Sequence, residues 1–106
     1  MKTDPPKVSI IIPCLNEEET LPVVIKKSLI AFKRLGIEGE VVVADNGSSD
    51  NSVEVAKKFG ARVVKCPKKG YGNALNCGFR AAKGNFLIMG DADDSYNFLK
   101  IGKFVE

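Results

Sequence analysis

The chain predicts an α/β fold: a four-stranded parallel sheet between helices, in three layers. Three observations carry this. Four short apolar, β-branched or continuous runs (Val8–Ile12, Glu40–Ala44, Arg62–Lys65 and Phe86–Met89) alternate with amphipathic stretches in the order β-α-β-α-β-α-β-(α). The connections are short, which suits right-handed crossovers between parallel strands. The carboxyl end of each of three of those runs carries a cluster of acidic or amide side chains, which cannot continue into a buried strand without a large desolvation cost.

The elements follow in order. Residues 1–6 read as a loose leader, with Pro5-Pro6 holding it extended. Val8-Ser9-Ile10-Ile11-Ile12 reads as a central strand stopped by Pro13. A helix then begins between Asn16 and Thr20. Its inner stripe is Leu21, Val24, Ile25, Leu29, Phe32 and Leu35, with Pro22 in the first turn and Gly36 as the stop. Glu40–Ala44 is a second buried strand ending at Asp45-Asn46-Gly47. Ser49 is expected to cap a helix that turns Val53, Ala56 and Phe59 inward. Arg62–Lys65 is a charged-flanked edge strand. Asn73–Lys83 is a third helix with Leu75, Phe79 and Ala82 on its inner face. Phe86–Met89 reads as a fully buried strand, and Ser95–Glu106 starts a helix whose pattern reaches the last residue without a cap, so the sequence reads as cut there.

Composition narrows the chemistry. The chain has 106 residues, no His, no Trp and a formal net charge of +3. No Ser-His-Asp triad or His-ligated zinc can be built. Three cysteines, Cys14, Cys66 and Cys77, are widely spaced without a CxxC pair. They are expected to be unpaired apolar fillers in a reducing, cytoplasmic setting. No apolar run approaches the roughly 20 residues of a membrane span. The lysines on helices lack interleaved aromatics, so nucleic acid is not the expected partner.

The polar clusters gather at one rim because parallel strands end on the same side of the sheet, where ligands of such folds bind. The first strand delivers Pro13, Asn16 and Glu17, the second Asp45 and Asn46, the fourth Asp91-Ala92-Asp93. Asp91 and Asp93 form a hard-oxygen pair suited to Mg²⁺ or Mn²⁺ and, through it, a diphosphate. Asp45 suits hydrogen bonds from a base or ribose. Gly70-Tyr71-Gly72 lets the backbone pass close to a ligand, with Lys69 ready for phosphate. Each has a plainer alternative: Asn16 and the Asp91–Asp94 run as helix caps, Glu17 as dipole compensation with Glu18 and Glu19, Asp45 as an Asx turn, the glycine pair as a tight turn.

Taken together, Val8–Pro13 with Asn16-Glu17-Glu18, Val43–Asp50, Lys69–Leu75 and Gly90–Tyr96 resemble, in order and spacing, the inverting glycosyltransferase family 2 with its GT-A fold. The last motif is most similar to the dolichyl- and polyprenyl-phosphate sugar transferases. The resemblance implies that Pro13, Asn16, Glu17 and Asp45 line the nucleoside pocket. It places Lys69 and Gly72 beside the nucleotide, Asp91 and Ala92 on the ribose and diphosphate side, and Asp93, with Asp91, on Mn²⁺ or Mg²⁺. Asn46 departs from the commoner Asp. The implied reaction is sugar transfer from a UDP- or GDP-linked donor to an acceptor, a polyprenyl phosphate or a saccharide. Residues 7–106 are then the donor-binding half, with no catalytic base of their own, inactive or nearly so alone, at work in the cytoplasm or at the cytoplasmic face of a membrane. Two other readings stand beside it: a nucleotidyltransferase, disfavoured by the acidic loop after the first strand, and an inactive folding unit that pairs through an open sheet edge.

Overall fold

A computed structural model of the chain describes residues 7–90. Its elements are β1 (Val8–Cys14), α1 (Leu21–Leu35), β2 (Gly39–Asp45), α2 (Ser52–Lys58), β3 (Arg62–Lys65), α3 (Tyr71–Ala81) and β4 (Phe86–Met89). The expected leader, the terminal helix and the Asp91–Asp93 motif lie outside the described residues.

Among the described residues all strand pairings are parallel, in the order β3-β2-β1-β4. The chain builds outward from β1 to β3 and then returns to the other side of β1, so the order reverses between β1 and β4. That reversal is the switch point at which an open α/β sheet leaves a crevice above its strand ends. Alternation along β1 splits its side chains between two layers. Val8, Ile10, Ile12 and Cys14 join Val41, Val43 and the inner faces of α1 and α2 in the larger core. Ile11 and Ala44 face α3 on the other side. The expected three-layer α/β/α architecture is thus present.

Several local expectations change. The strand β1 runs through Pro13, which pairs with Ala44. Ile11 offers its carbonyl to Gly90 on the β4 side, so Pro13, two residues on, also faces that side. There it lies beyond Met89, and its missing N–H removes no ladder bond to β4. In α1 the stripe holds except at Leu35, which is exposed at the last turn, while Ser28 and Ala31 are buried. Gly36 ends the helix in the left-handed conformation (φ 64°), as its position predicts. Helix α2 begins at Ser52, not beside Ser49, and has no side-chain cap at Asn51.

Helix α3 starts at Tyr71 and buries Ala74 and Gly78, whereas Leu75 and Phe79 are only partly buried. The cause is closeness: a Cβ on Gly78 would sit 2.5 Å from Ile11 Cγ2 and 3.2 Å from Ala44 Cβ. A helix pressed this near to a sheet must turn its smallest side chains inward. Strand β4 is not the fully buried strand expected. Among the described residues it pairs only with β1, and Phe86 and Leu87 are 47% and 45% exposed.

The cysteines also differ. Cys66 and Cys77 form a disulfide across 11 residues, and Cys14 alone is free. The crossover brings α3 back over the end of β3, a proximity that wide sequence spacing conceals. With that pair oxidised, the cysteines no longer argue for a reducing compartment.

At the sheet end away from the rim, Glu40 ties four segments together. It accepts from Ser9 Oγ (2.7 Å), Lys83 N (2.8 Å) and Arg62 Nη2 (3.0 Å). Arg62 also donates to Ala81 O, and Gly84 N donates to Ser9 Oγ. No helix among the described residues is long and apolar enough to cross a membrane.

Candidate functional site

The rim begins with a row fixed by register. Cys14 lies opposite Asp45, and Asp45 opposite Lys65, so the ends of β1, β2 and β3 are level. From this row three loops rise. The first two, residues 15–20 and 46–51, are zipped to one another. Asn16 adopts φ 56°, a conformation that Asn tolerates better than most residues. Its Oδ1 accepts from the backbone N–H of Ser49 (2.7 Å) and Asp50 (3.2 Å), while its own N–H donates to Ser48 Oγ. Glu17 N donates to Ser52 Oγ, Glu18 N to Asp50 Oδ2, and Asn51 N to Glu18 Oε1. The cleft between these loops, about 300 Å³, is lined by Asn16, Glu17, Glu18, Glu19, Thr20 and Asp50.

Burial would raise the Asp50 carboxyl pKa, but hydrogen bonds from the Ser52 hydroxyl, its N–H and Glu18 N–H outweigh it and leave the group below the ordinary range. The Cys14 thiol is pushed up, chiefly by burial, against smaller hydrogen-bond effects from Ser52 and Ser48. It is buried in the core as an apolar filler, as expected of it.

Asp45 is 5% exposed. Its Oδ2 accepts from Gly47 N and Ser48 N, which is the Asx bend anticipated as the plainer role. Its Oδ1, however, is buried and has no hydrogen-bond partner among the described residues. A buried carboxylate oxygen without a donor is costly. The bend therefore accounts for Oδ2 and leaves Oδ1 without a donor among the described residues.

The third loop, residues 66–70, crosses back to β2. Asn46, 6% exposed, donates from Nδ2 to Cys66 O (2.8 Å) and Lys68 O (2.9 Å) and accepts on Oδ1 from Gly70 N (3.0 Å). Lys69 Nζ lies over Gly47, 3.2 Å from where a Cβ would stand there. Gly47 has φ 102° and leaves that space open. Gly72, in the first turn of α3, has open space around it.

The structure thus brings Pro13, Asn16, Glu17, Asp45 and Lys69 to one rim, with Gly72 at its margin. Glu17 also serves α1: its carbonyl receives Thr20 N and Leu21 N. Among the described residues no group of three acidic or thiol side chains could hold a metal ion. The expected ligands Asp91 and Asp93, with Ala92, lie outside them, following Gly90, whose N–H reaches Ile11 O (2.9 Å). Sequence reasoning did not foresee the part of Asn46, nor the serines that lace the first two loops. The density of Ser, Asn and Asp from Asn46 to Ser52, in excess of what one helix cap needs, was the available signal.

Fold and rim place the chain among the doubly wound α/β domains that receive ligands outside the carboxyl ends of their strands, here of the GT-A type. The chain belongs to Glycosyl transferase family 2, whose description matches residues 9–106. It is 39% identical over 100 residues to a low-salt glycan biosynthesis hexosyltransferase of Haloferax volcanii, covering 94% of this chain and 24% of that protein. It is 37% identical to an undecaprenyl-phosphate 4-deoxy-4-formamido-L-arabinose transferase of Pectobacterium carotovorum, covering 88% of this chain and 31% of that one. Among solved structures it is similar to glucosyl-3-phosphoglycerate synthase of Mycobacterium tuberculosis in complex with Mn²⁺, UDP and glucosyl-3-phosphoglycerate. The TM-score is 0.68 and the identity 31%, over 82% of this chain and 33% of that one. The chain thus spans about a quarter to a third of these proteins.

Proposed function

We propose that this chain binds a nucleoside diphosphate sugar at the rim and forms the donor half of a glycosyltransferase, with a lipid phosphate or a saccharide as acceptor. The observation that carries the reading is the orphaned Oδ1 of Asp45. The imino N–H of a uracil or guanine ring, or a ribose hydroxyl, is the donor that this buried oxygen lacks. Lys69, poised over Gly47 two residues away, supplies positive charge for a diphosphate. In this reading Pro13 and Glu17 complete the nucleoside pocket, Asn16 shapes it through its hold on Ser49 and Asp50, and Gly72 gives the backbone room.

Asp91 and Asp93 would hold Mn²⁺ or Mg²⁺, with Ala92 between them. When bound, the ion offsets charge on a leaving diphosphate. The M. tuberculosis neighbour holds Mn²⁺ and UDP, which supports this class of ligand, and the undecaprenyl-phosphate transferase supports a polyprenyl phosphate as one acceptor. Residues 7–106 are proposed to act as one unit, with base and acceptor elements supplied elsewhere and little turnover expected from this unit alone. A site at the cytoplasmic face of a membrane belongs to the same reading and draws on the lipid acceptor alone.

Calorimetry with UDP, GDP, their sugar conjugates and triphosphates, with and without Mn²⁺, tests the proposal. Metal-dependent binding of one diphosphate, lost in Asp93→Ala without unfolding, is expected. Preference for a triphosphate would favour a nucleotidyltransferase, against which the acidic cleft of Glu17, Glu18, Glu19 and Asp50 already stands. A second reading, self-association, is favoured by the exposed apolar edge of β4.

A further inference from the structure

The amide of Asn46 makes three bonds, all to one loop. It gives two hydrogens, to Cys66 O and Lys68 O, and takes one, from Gly70 N. Cys66, Lys68 and Gly70 bracket Lys69, whose ammonium is thereby carried back over Gly47. The loop is bound to β2 in one further place near its start, where Cys66 N donates to Asp45 O. From Lys68 to Gly70, Asn46 is the link to β2 among the hydrogen bonds described. Only a primary amide fits this set. A carboxylate of the same shape has no hydrogen to give and would face two carbonyl oxygens with negative charge.

We infer that Asn46 is a positioning residue for the donor: its side-chain amide sets the height of the Cys66–Gly70 loop above Asp45, and so the fit of a nucleoside diphosphate between them. Asn46 does not touch the ligand. Both of its amide hydrogens are given within the protein and the side chain is buried, so it acts through Lys69. This rests on the reading that a nucleoside diphosphate occupies the rim. It gives a physical meaning to the Asn that stands where Asp is commoner: the loop here is held by neutral donation, independent of pH.

The test uses the whole chain with UDP, GDP and Mn²⁺ as probes, in wild type, Asn46→Asp and Asn46→Ser. Binding is measured by calorimetry across about pH 5 to 8, a range over which a carboxyl buried against carbonyls gains its proton. Hydrogen exchange at the Gly70 amide reports the loop directly, with no ligand present. Expected are faster Gly70 exchange in Asn46→Asp and diphosphate affinity about tenfold or more weaker near pH 8, as fits the loss of several buried hydrogen bonds. Part of that affinity should return as the pH falls and the new carboxyl regains a proton to donate; wild type should show no such return. Asn46→Ser, which keeps a hydroxyl donor, should lie between the two without the pH-dependent recovery, and it preserves the test if Asn46→Asp does not fold. Wild-type affinity in both variants, or weakened affinity with Gly70 exchange unchanged, would overturn the positioning role while leaving the nucleotide reading intact. Absence of diphosphate binding by wild type at any pH, with Gly70 exchange still governed by Asn46, would instead overturn the nucleotide reading and, with it, the donor-positioning role.

Discussion

The Oδ1 of Asn16 lies 2.7 Å from the backbone nitrogen of Ser49, across a gap of 33 residues, and holds the loop after β1 against the loop after β2. With the bonds from Asn16 N to Ser48, Glu17 N to Ser52 and Glu18 to Asp50 and Asn51, it joins the two connections into a single wall of the rim. It also separates two roles that sequence left open. Asn16 does act as a cap, but it caps a turn of the neighbouring loop and not its own helix.

Removing that side chain tests its contribution. Asn16→Gly keeps the left-handed backbone (φ 56°) without strain and loses the bonds to Ser49 N and Asp50 N. At about 1 kcal/mol per bond, a loss of about 2 kcal/mol is expected. Asn16→Ala should cost about 1 kcal/mol more, because Cβ makes the left-handed conformation unfavourable. Urea denaturation with an unchanged m-value would report both. Equal stability of Asn16→Gly and wild type would show that the Asn16 side chain contributes nothing to the zipped loops.

The parts of the fold legible in advance were those written in apolar runs and their punctuation. Val8–Ile12 and Glu40–Ala44 could only be buried strands, and Gly36 could only end α1. Chemistry at the strand ends was legible for the same reason, since Asp45 cannot enter the sheet. What stayed hidden depends on distance between layers. The bulky Leu75 and Phe79 mark the most hydrophobic face of α3, yet Ala74 and Gly78 face the sheet because the helix lies too close for anything larger. The Cys66–Cys77 pair and the reach of Asn46 likewise required knowing that the chain folds back over the end of β2 after β3. The exposure of β4 was hidden because an apolar run shows what could be buried and not what lies beside it.

Gly78 offers a direct check on that packing. A methyl group there would stand 2.5 Å from Ile11 Cγ2, so α3 must lift or Ile11 must leave its rotamer. Gly78→Ala should therefore destabilise the chain by about 1–3 kcal/mol, the usual range for overpacking, despite the better helix propensity of Ala. Thermal denaturation showing a more stable variant would mean that α3 packs elsewhere.

Glu40 predicts a pH dependence. Burial alone would raise its pKa, but Lys83 N–H, the Ser9 hydroxyl and Arg62 together leave it below the ordinary 4.5. A folded-state pKa lower than the unfolded one means that the unfolded chain binds the proton first as the pH falls. The stabilisation is complete above about pH 4.5, the unfolded value, and is lost as the pH drops through the folded value beneath it. Glu40→Gln should flatten the acid limb of the stability curve, and Glu40→Ala should cost about 2–3 kcal/mol at neutral pH by stranding Arg62, the Lys83 N–H and the Ser9 hydroxyl. An acid limb unchanged in Glu40→Gln would show that other carboxylates dominate.

The disulfide closes a loop of 11 residues that contains Lys68, Lys69 and Gly70. Loop-closure entropy for that length corresponds to about 3 kcal/mol. A dithiol reductant should lower the midpoint of wild type by that equivalent and leave the Cys66→Ser, Cys77→Ser double variant unmoved. The reduced wild type and the double variant should then coincide. A midpoint indifferent to reductant would mean that the pair is not formed in solution.

The last prediction concerns β4. Its outer edge has no strand beside it among the described residues, and Phe86, Leu87 and Met89 are exposed along four residues. An edge whose backbone groups have no strand partner among the described residues, beside apolar side chains, invites a second strand. Natural edges are blunted by lysines, but here Lys83 precedes the strand and none lies within it. Sedimentation at rising concentration should therefore show wild-type mass increasing, and Leu87→Lys should hold the chain monomeric by forcing a charge into any edge-to-edge contact. Since Leu87 is half exposed, the substitution should cost less than about 1 kcal/mol of stability, so loss of association cannot be ascribed to unfolding. A wild-type chain that stays monomeric across the whole range would remove β4 as a pairing edge.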